Sequence, residues 1–384
     1  MGVTMKRRIF KKEHDMFRKS FRSYLKDKII PFYDEWEDEG VTPRDVWLEA
    51  GKNDFLCPTA DEKYGGAGAD FLYATVITEE LYYHGLSSLF WPLHNDIVFP
   101  YIEVYANEEQ KQKWIPKCVT GETILAVAMT EPDAGSDLAS LSTTAVRDGD
   151  HYIVNGSKIF ISNGQLADLC VVAVRTDETA SPHAGVSLLV IESDRKGYRK
   201  GTNLKKIGMR AQDTSEIFFD DCRVPVENLL GAEGEGFKYL MHNLQQERLV
   251  LAIGAYAAAE GALDITIDYV KSRKLFGKTL GKFQNTRFTL AEVATKVQLA
   301  RSFLDDLIPR HMAGEDVVRE VSMAKYWLTE LQFEAADKCL QMFGGYGYMR
   351  EYLISRLFVD ARIQRIYGGA NEVLKEVIAR RLNI

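Results

Sequence analysis

The two ends of the chain carry hydrophobic residues at helical spacing. Near the start, this pattern predicts helices over residues 12–26 and 70–83. Towards the end, it predicts one helix around the apolar run 249–259 and two more over residues 284–307 and 317–342. Proline breaks helix interiors, and only Pro309 follows Pro225, so the composition also favours long helices in this last part.

The middle of the chain follows a different pattern, typical of β-strands. Tyr152, Val154, Ile159 and Ile161 alternate with polar residues on either side of the pair Asn155-Gly156. Because Asn-Gly favours a two-residue turn, this segment predicts a β-hairpin with its turn at 155–156. Three further apolar runs of strand length follow, separated by Gly, Pro, Asp and Ser: LCVVAV, VSLLVIES and IFFDDCRVP.

These patterns predict an α+β protein in three parts. A helical N-terminal domain is expected over residues 1–125, an all-β middle domain over 126–232 and a helical C-terminal domain over 233–384. The length of 384 residues is ordinary for two or three domains. No long internal repeat or low-complexity segment interrupts this division.

Composition and charge exclude several classes of function. Hydrophobic residues make up 46% and charged residues 27%, as in ordinary globular proteins. The 48 Lys+Arg against 55 Asp+Glu give a net charge of -7, which disfavours sequence-independent binding to nucleic acid. The apolar run 249–259 falls short of the about 20 residues that a membrane span requires, so we expect a buried helix there.

The cysteines and the first residues bear on the compartment. Five cysteines are widely spaced and form no CxxC pair, which argues against a disulfide framework and a structural zinc site. The first residues lack the apolar core and cleavage site of a signal peptide. We therefore expect a reducing, cytoplasmic location in a prokaryote. The cysteines are Cys57, Cys118, Cys170, Cys222 and Cys339.

Searches for common catalytic motifs are mostly negative. The chain has no GxxxxGK[ST] and no GxSxG, and its histidines do not stand at metal-ligand spacing. The glycine cluster GGYG at 344–347 follows a helical run, whereas a dinucleotide-binding loop follows a strand. The segment AMTEPDAGSDLAS at 128–140 is more informative, because Thr130, Ser136 and its small residues can expose N–H groups and hydroxyls to a flavin edge or a phosphate. A plain connector is an equally good interpretation of that segment alone.

Several long motifs, in order, show that the sequence resembles the acyl-CoA dehydrogenase family. The segment at 128–140 looks like the first motif of that family, and QMFGGYGYMREYLISRLFVD at 341–360 looks like the second. The resemblance covers about residues 10–384 and is strongest to the long-chain members. The other matching segments are SKIFISNG (157–164), MRAQDTSEIFFDDCRVP (209–225), QQERLVLA (245–252), SRKLFGK (272–278) and YGGANEVLKEVIAR (367–380).

The resemblance implies a fold and an activity. The fold would have an N-terminal helical domain, a middle β-barrel or sandwich domain and a C-terminal four-helix bundle. The activity would be that of an oxidoreductase acting on CH–CH groups in fatty acid β-oxidation, which converts an acyl-CoA to the trans-2-enoyl-CoA. FAD would be bound non-covalently, electrons would pass to electron-transfer flavoprotein, and the protein would be a homotetramer.

The resemblance also assigns residues to FAD. The flavin would lie against two segments, with Phe160 covering the ring where many relatives have Trp: Val127, Ala128, Met129, Thr130, Ser136, Phe160, Ile161 and Ser162. Arg273 would reach the pyrophosphate across a subunit interface, with Phe276 and Gln284 in the same region. The adenosine half would lie near Gln341, Met342, Phe343, Gly344 and Gly345. Ala370, Asn371 and Glu372 would approach a phosphate or the ribose.

The catalytic base is where the sequence departs from the majority pattern. Many relatives carry a catalytic Glu after the Tyr of the closing motif, but this sequence has Gly368. Glu247 matches the alternative position of the base, used by long-chain and isovaleryl members, and burial beside an acyl chain should raise its pKa. Glu372 is a weaker rival. The backbone N–H of Gly368 could still polarise the thioester carbonyl.

Other residues are expected to contact acyl-CoA. The resemblance points to four of them: Ser136, Gln245, Arg248 and Gly369. The depth of the acyl pocket is expected to depend on residues 94–101, where Val98 and Phe99 are apolar and favour a long acyl tail. Two alternative functions remain open at this point: an acyl-CoA or nitroalkane oxidase with the same fold, and a non-enzymatic, flavin-bearing, DNA-associated relative.

Overall fold

A computed structural model describes residues 7–177, 179–181 and 183–384. A helical N-terminal part is followed by a middle part of β-strands and a helical C-terminal part. This order confirms the α+β class and the three-part architecture predicted from the sequence. The exact limits of the domains, at 125/126 and 232/233, stay predictions.

Six α-helices form the N-terminal part from residue 7 onward, where the description of the chain begins. This part also contains two short π-helical turns. Leu25–Ile29 directly follows α1, and Leu93–Val98 directly precedes α5. The helix predicted over 70–83 begins where the Asp70 side chain accepts a hydrogen bond of 3.0 Å from the backbone N–H of Leu72. The helices are α1 (Lys12–Tyr24), α2 (Tyr33–Glu39), α3 (Arg44–Lys52), α4 (Phe71–Tyr83), α5 (Phe99–Tyr105) and α6 (Glu108–Thr120).

Eight strands of the middle part form one mixed sheet. Their order is β6-β7-β3-β2-β4-β5-β8, and β1 pairs with β4 in parallel. Because β1 leads directly out of the helical part, this pairing places the segment after β1 beside the helices. The strands are β1 (Leu125–Ala128), β2 (Thr144–Asp148), β3 (His151–Ser162), β4 (Leu169–Arg175), β5 (Val186–Glu192), β6 (Tyr198–Asn203), β7 (Thr214–Pro225) and β8 (Leu229–Leu230).

The hairpin predicted at Asn155-Gly156 is wrong. The chain instead reverses between β2 and β3, where Asp148 pairs with His151. Gly156 lies inside β3 at a register shift in its pairing with β7, with a φ of +144°. A Cβ atom there would lie 2.6 Å from Thr143 Oγ1, so only glycine fits. The Asn-Gly pair therefore forms a β-bulge, because a bulge and a tight turn favour the same residues.

The C-terminal part contains five α-helices and a small hairpin. The three long helices pack side by side, and α10 and α11 pack on α9. Pro309 lies in the last turn of α8 and does not shorten it. The elements are α7 (Gly236–Ser272), β9 (Lys274–Leu275), β10 (Lys278–Thr279), α8 (Gln284–Met312), α9 (Val318–Phe343), α10 (Leu353–Ala361) and α11 (Asn371–Arg381).

Helix α7 is the central element of the helical core. By length and composition it could cross a membrane, but 78% of its most apolar window is buried inside the protein. The run 249–259 is buried throughout, as the sequence predicted. A Cβ atom on Gly261 would overlap the backbone oxygen of Tyr83, so this glycine allows α4 to approach α7 closely.

One carboxylate joins all three parts of the molecule. Asp360 of α10 accepts hydrogen bonds of 2.6 Å from the Ser87 hydroxyl and from the backbone N–H of Met209. Burial, together with the nearby Glu37 carboxylate, raises the pKa of Asp360. The five cysteines are all buried and free.

Candidate active site

A cavity of about 380 Å³ lies where the three parts of the molecule meet. Its walls combine apolar side chains with a few polar groups, which is typical of a small-molecule site. The N-terminal part contributes Phe90, Leu93 and Ile97. The middle part contributes Val127, Met129, Thr130, Gly135, Ser136, Asp137, Leu138, Ala139, Phe160, Ile161, Ser162 and His183. The C-terminal part contributes Phe237, Met241, Leu244, Glu247, Arg248, Leu251, Tyr367, Gly368, Gly369, Val373 and Val377.

Glu247 is a buried carboxyl group in the cavity wall. It shares one face of α7 with Leu244 and Leu251, at helical spacing, so an apolar surface surrounds it. Its Oε1 accepts a hydrogen bond of 2.7 Å from the Tyr101 hydroxyl. Burial raises the pKa of Glu247 to about 7, although the Tyr101 hydrogen bond and the charge of Arg248 oppose the rise. A group with this pKa can exchange a proton near neutral pH.

Two glycines form the cavity wall near Glu247. Gly368 and Gly369 have φ values of +65° and +92°. The Nε–H of Arg248 donates to the carbonyl oxygen of Gly368 at 3.3 Å, and the Lys325 ammonium donates to that of Gly369 at 2.8 Å. A Cβ atom on Gly368 would overlap Leu251 Cδ1. This turn therefore presents backbone to the cavity, and a side chain at 368 has no room.

The segments predicted to line the flavin face the same cavity, with one exception. Val127 and Met129 line the cavity, but Ala128 between them is fully buried on the other side, because side chains alternate along a strand. Phe160, at the end of β3, also lines the cavity. Its φ is +60° and 64% of its surface is exposed. A large apolar ring left this open fits a flat aromatic partner.

A buried ion pair fixes the loop that carries Ser136. Glu131 accepts hydrogen bonds from the backbone N–H groups of Ser142 and Thr143, at 2.6 Å and 3.0 Å, and from the Lys158 ammonium at 2.7 Å. Burial alone would raise the pKa of Glu131, but Lys158 and the hydrogen bonds outweigh it and lower the pKa to about 2. The sequence analysis missed this pair. The only sequence signal is a lysine among the apolar residues of β3.

A second, open groove of about 830 Å³ lies in the C-terminal part. Arg273 and residues 341–345 line it, as the resemblance grouped them. The Arg273 guanidinium lies 5.2 Å from the centre of the Tyr346 ring. A Cβ atom on Gly344 or Gly345 would meet no heavy atom within 4 Å, so a ligand can approach their backbone. Phe276 is 86% exposed on the β9–β10 hairpin, and Gln284 is exposed at the start of α8. Neither of these two lines the groove.

Besides Ala128, Phe276 and Gln284, four further predicted site residues line neither the cavity nor the groove. Gln245 is engaged at the turn between α8 and α9, where it contacts His311 Nδ1 at 3.2 Å and accepts from the N–H of Val317 at 3.0 Å. Asn371 is buried and donates to Thr329 Oγ1 at 3.1 Å. Asn371 begins α11. Of the other two residues, Ala370 directly precedes this helix and Glu372 lies in its first turn.

The apolar end of the cavity differs from the expectation. Val98 and Phe99 are fully buried in the core and do not line the cavity. Leu93 and Ile97 line it instead, on the π-helical turn that precedes α5. The π-helical geometry shifts which residues of this segment face inward, and sequence periodicity does not reveal such a shift.

Family comparisons cover nearly the whole chain. Residues 11–122 match the description "Acyl-CoA dehydrogenase, N-terminal domain", residues 126–222 the middle domain and residues 234–383 the C-terminal domain. The mouse (Mus musculus) long-chain specific acyl-CoA dehydrogenase, mitochondrial, is 48% identical over 377 residues, which are 98% of this chain and 88% of that protein.

Solved structures agree with the sequence comparison. The crystal structure of an acyl-CoA dehydrogenase from Geobacillus kaustophilus is 55% identical, with a TM-score of 0.97 over 99% of this chain and 100% of that one. An acyl-CoA dehydrogenase from Bacillus anthracis, solved in complex with FAD, is 30% identical, with a TM-score of 0.90 over 97% of this chain and 68% of that one.

The cavity and the groove suit the cofactor of such enzymes, which is FAD. The exposed ring of Phe160 offers a face to the isoalloxazine, and the open backbone at Gly344 and Gly345 offers access to the other half. Among the residues that the structure describes, no group of three or more His, Cys, Asp or Glu could hold a metal ion. The fold, the cavity and the matches in all three domains together place this chain in the acyl-CoA dehydrogenase family of FAD-dependent oxidoreductases.

Proposed function

We propose that this protein catalyses the FAD-dependent oxidation of a fatty acyl-CoA to the trans-2-enoyl-CoA, as a step of fatty acid β-oxidation. One observation carries the proposal: the buried carboxyl of Glu247 lines the same cavity as Phe160 and the backbone of Gly368. A base, a flat cofactor surface and a carbonyl-binding turn are the three features that this reaction needs.

Glu247 acts as the base that removes the α-proton of the thioester. The adjacent carbonyl makes that proton weakly acidic, and a carboxylate with a pKa of about 7 can accept it near neutral pH. FAD, held at Phe160 and its neighbours, would supply the redox chemistry as the acceptor of a hydride from the β-carbon. The surrounding Leu244 and Leu251 exclude water and keep the carboxylate next to the acyl chain.

The turn at Gly368 binds the thioester carbonyl. Its backbone N–H can donate to the oxygen on which negative charge develops, as in an oxyanion hole. Arg248 and Lys325 hold the carbonyls of Gly368 and Gly369, which orients the two peptide groups that follow Gly368 before substrate binds. Arg248 and Gly369 also line the cavity and are proposed to contact acyl-CoA, as is Ser136 on the opposite wall.

FAD binding requires more than one copy of the chain. The flavin is held at Phe160 and its neighbours, whereas Arg273 and residues 341–345 form a separate groove. We therefore propose that the groove of one subunit receives the adenosine half of FAD from its partner, with Arg273 on the pyrophosphate. Phe276 and Gln284 lie exposed beside it and are expected to become buried in the homotetramer.

The substrate is proposed to be a long-chain acyl-CoA. Phe90, Leu93 and Ile97 form an apolar end to the cavity, and the mouse relative is named long-chain specific. Electron-transfer flavoprotein is the proposed electron acceptor, and the cytoplasm of a prokaryote the proposed location. The net charge of -7 does not favour the DNA-associated alternative.

Anaerobic bleaching of the flavin tests this function. Purified protein should carry FAD, and a series of acyl-CoAs of increasing chain length should reduce it, with faster reduction by the longer chains. Glu247→Gln should retain FAD but lose reduction by several orders of magnitude, whereas Glu372→Gln, a change at an exposed position, should not. Bleaching of the Glu247→Gln variant at the normal rate would contradict the proposed base. Stoichiometric hydrogen peroxide at the full turnover rate would instead indicate an acyl-CoA oxidase.

A further inference from the structure

Tyr101 is buried against the catalytic carboxyl. Its side chain is 0% exposed on α5, and its hydroxyl donates the 2.7 Å hydrogen bond to Glu247 Oε1. Within the described part of the chain, Tyr101 is the hydrogen-bond partner of that carboxyl group. The two residues lie 146 positions apart in the sequence and on different domains, so this contact is a product of the tertiary fold.

The hydrogen bond makes the two oxygens of Glu247 unequal. Oε1 is held by the phenol, and the side chain loses the freedom to rotate within the cavity wall. Because a phenol donates more strongly to a carboxylate than to a carboxylic acid, the bond also favours the ionised form of the base. A carboxylate in an apolar cavity would otherwise take up a proton from water and be unable to accept one from the substrate.

We propose that Tyr101 is a positioning residue, which holds Oε1 of Glu247 and leaves Oε2 to accept the α-proton of the substrate. This inference rests on the proposed function, since it assumes that Glu247 is the base. Tyr101 itself undergoes no covalent change. The proton moves from the substrate α-carbon to Oε2, and the hydroxyl of Tyr101 keeps its own proton throughout.

Other charged and titratable groups around Glu247 do not take this role. Arg248, the next residue of α7, lowers the pKa of Glu247 but directs its Nε–H at the carbonyl of Gly368. From α5, Tyr105 contacts His242 Nδ1 at 2.9 Å.

Two further groups lie on the remaining elements. On the π-helical turn, burial raises the pKa of the Asp96 carboxyl well above its usual value. In the last loop, Tyr367 lies 3.4 Å from the Tyr82 hydroxyl. Substitution of Tyr101 leaves all of these contacts in place.

The test compares Tyr101→Phe with Tyr105→Phe in the FAD-loaded enzyme. Both changes remove one hydroxyl from α5, but only the first removes the hydrogen bond to Glu247. The rate of flavin bleaching by a saturating acyl-CoA is measured by stopped flow across pH. For Tyr101→Phe, the midpoint of the pH dependence should rise by about one pH unit, which corresponds to a tenfold weaker acid. The rate should fall about tenfold at low pH and recover at high pH, and Tyr105→Phe should keep the original midpoint.

A second measurement does not depend on turnover. The C=O stretch of protonated Glu247 is followed by infrared difference spectroscopy against Glu247→Gln, over the same pH range and without substrate. Its titration should shift upward in Tyr101→Phe and remain unchanged in Tyr105→Phe. Unchanged midpoints in both measurements would overturn the role of Tyr101, even if Glu247→Gln is inactive. Full bleaching by Glu247→Gln would instead overturn the proposed base.

Replacement of Tyr101 by 3-fluorotyrosine covers the case in which Tyr101→Phe fails to fold. The fluorinated phenol is nearly the same size but is a stronger hydrogen-bond donor. It should therefore lower the midpoint of bleaching relative to the unmodified enzyme. A midpoint that does not move, in a protein that contains normal amounts of FAD, would also overturn the inference.

Discussion

Leu251 occupies the space that a side chain at Gly368 would need. A Cβ atom on Gly368 would overlap Leu251 Cδ1, and the φ of +65° is one that residues with a side chain rarely adopt. Packing therefore excludes a side chain from this position of the closing motif. Glu247 and Leu251 are one turn apart on α7, so the same helix supplies the carboxylate and blocks its alternative position.

This packing predicts the outcome of moving the base. In Glu247→Gln/Gly368→Glu, flavin reduction should stay near the level of Glu247→Gln alone, because Leu251 displaces the new side chain. Adding Leu251→Ala should make room for the new side chain and raise the rate by at least about tenfold. This corresponds to an activation barrier that is lower by about 1.4 kcal/mol. Stopped-flow bleaching under anaerobic conditions measures both variants. Equal rates in the double and triple variants would show that Leu251 does not control access to this position.

Glu247 should make stability depend on pH. Its folded pKa of about 7 lies above the ordinary value of 4.5, so the folded protein holds a proton that the unfolded chain releases. The free energy of unfolding should therefore fall as pH rises from 4.5 to 7, by about 3 kcal/mol in total from this group. Glu247→Gln should remove this slope and be the more stable protein above pH 7. Urea unfolding at a series of pH values measures the effect, and Glu372→Gln, at an exposed position, should retain the slope.

Lys158 should be required for both stability and flavin binding. Lys158→Met leaves the buried Glu131 carboxylate without its cation, and breaking a buried pair costs about 3–5 kcal/mol. Because Glu131 fixes the loop that carries Ser136, the FAD content should also fall. Calorimetry and the flavin absorbance of purified protein give the two readings. Lys196→Met removes a lysine from an exposed position of the same domain and should change neither. Normal FAD content in Lys158→Met would mean that the loop keeps its shape without the pair.

Arg273 should hold FAD through its phosphates. Arg273→Ala should weaken FAD binding by about 10- to 100-fold, which is the effect of one lost charge-assisted hydrogen bond. Titration of apoprotein with FAD, followed by flavin fluorescence, measures the affinity. Lys271→Ala removes a nearby cation that pairs with Asp268 and does not line the groove, so it is the matched control. Equal affinities of the two variants would remove Arg273 from the FAD site.

The sequence was a good guide to elements that local rules determine. The long C-terminal helices follow from hydrophobic spacing and the scarcity of proline, and the structure contains them. The prediction of a turn at Asn155-Gly156 was wrong because local preference does not distinguish a bulge from a hairpin. Thr143, which directly precedes β2, leaves no room for a side chain at Gly156, and this contact depends on the tertiary fold. The shift from Val98 and Phe99 to Leu93 and Ile97 in the cavity wall has a similar cause, since it depends on a π-helical turn.

In the candidate site, too, some residues are revealed by local motifs and others are brought in only by the tertiary fold. Motifs pointed to Glu247, Gly368 and Phe160, and the structure brings these three to one cavity. They did not reveal Tyr101 or Lys325, because each of these acts on a residue from a distant part of the chain. A single sequence contains no pattern that pairs a tyrosine of the N-terminal part with a glutamate of α7.

The position of Asp360 has a consequence for biosynthesis. The two groups that it binds, Ser87 and the N–H of Met209, precede it by 273 and 151 residues. On the ribosome, both groups leave the exit tunnel long before their partner has been translated. The first two domains are therefore synthesised before these hydrogen bonds can form. The contact with Asp360 is a late one, of high sequence separation. The last helices of the nascent chain thus complete a contact that links all three parts of the subunit.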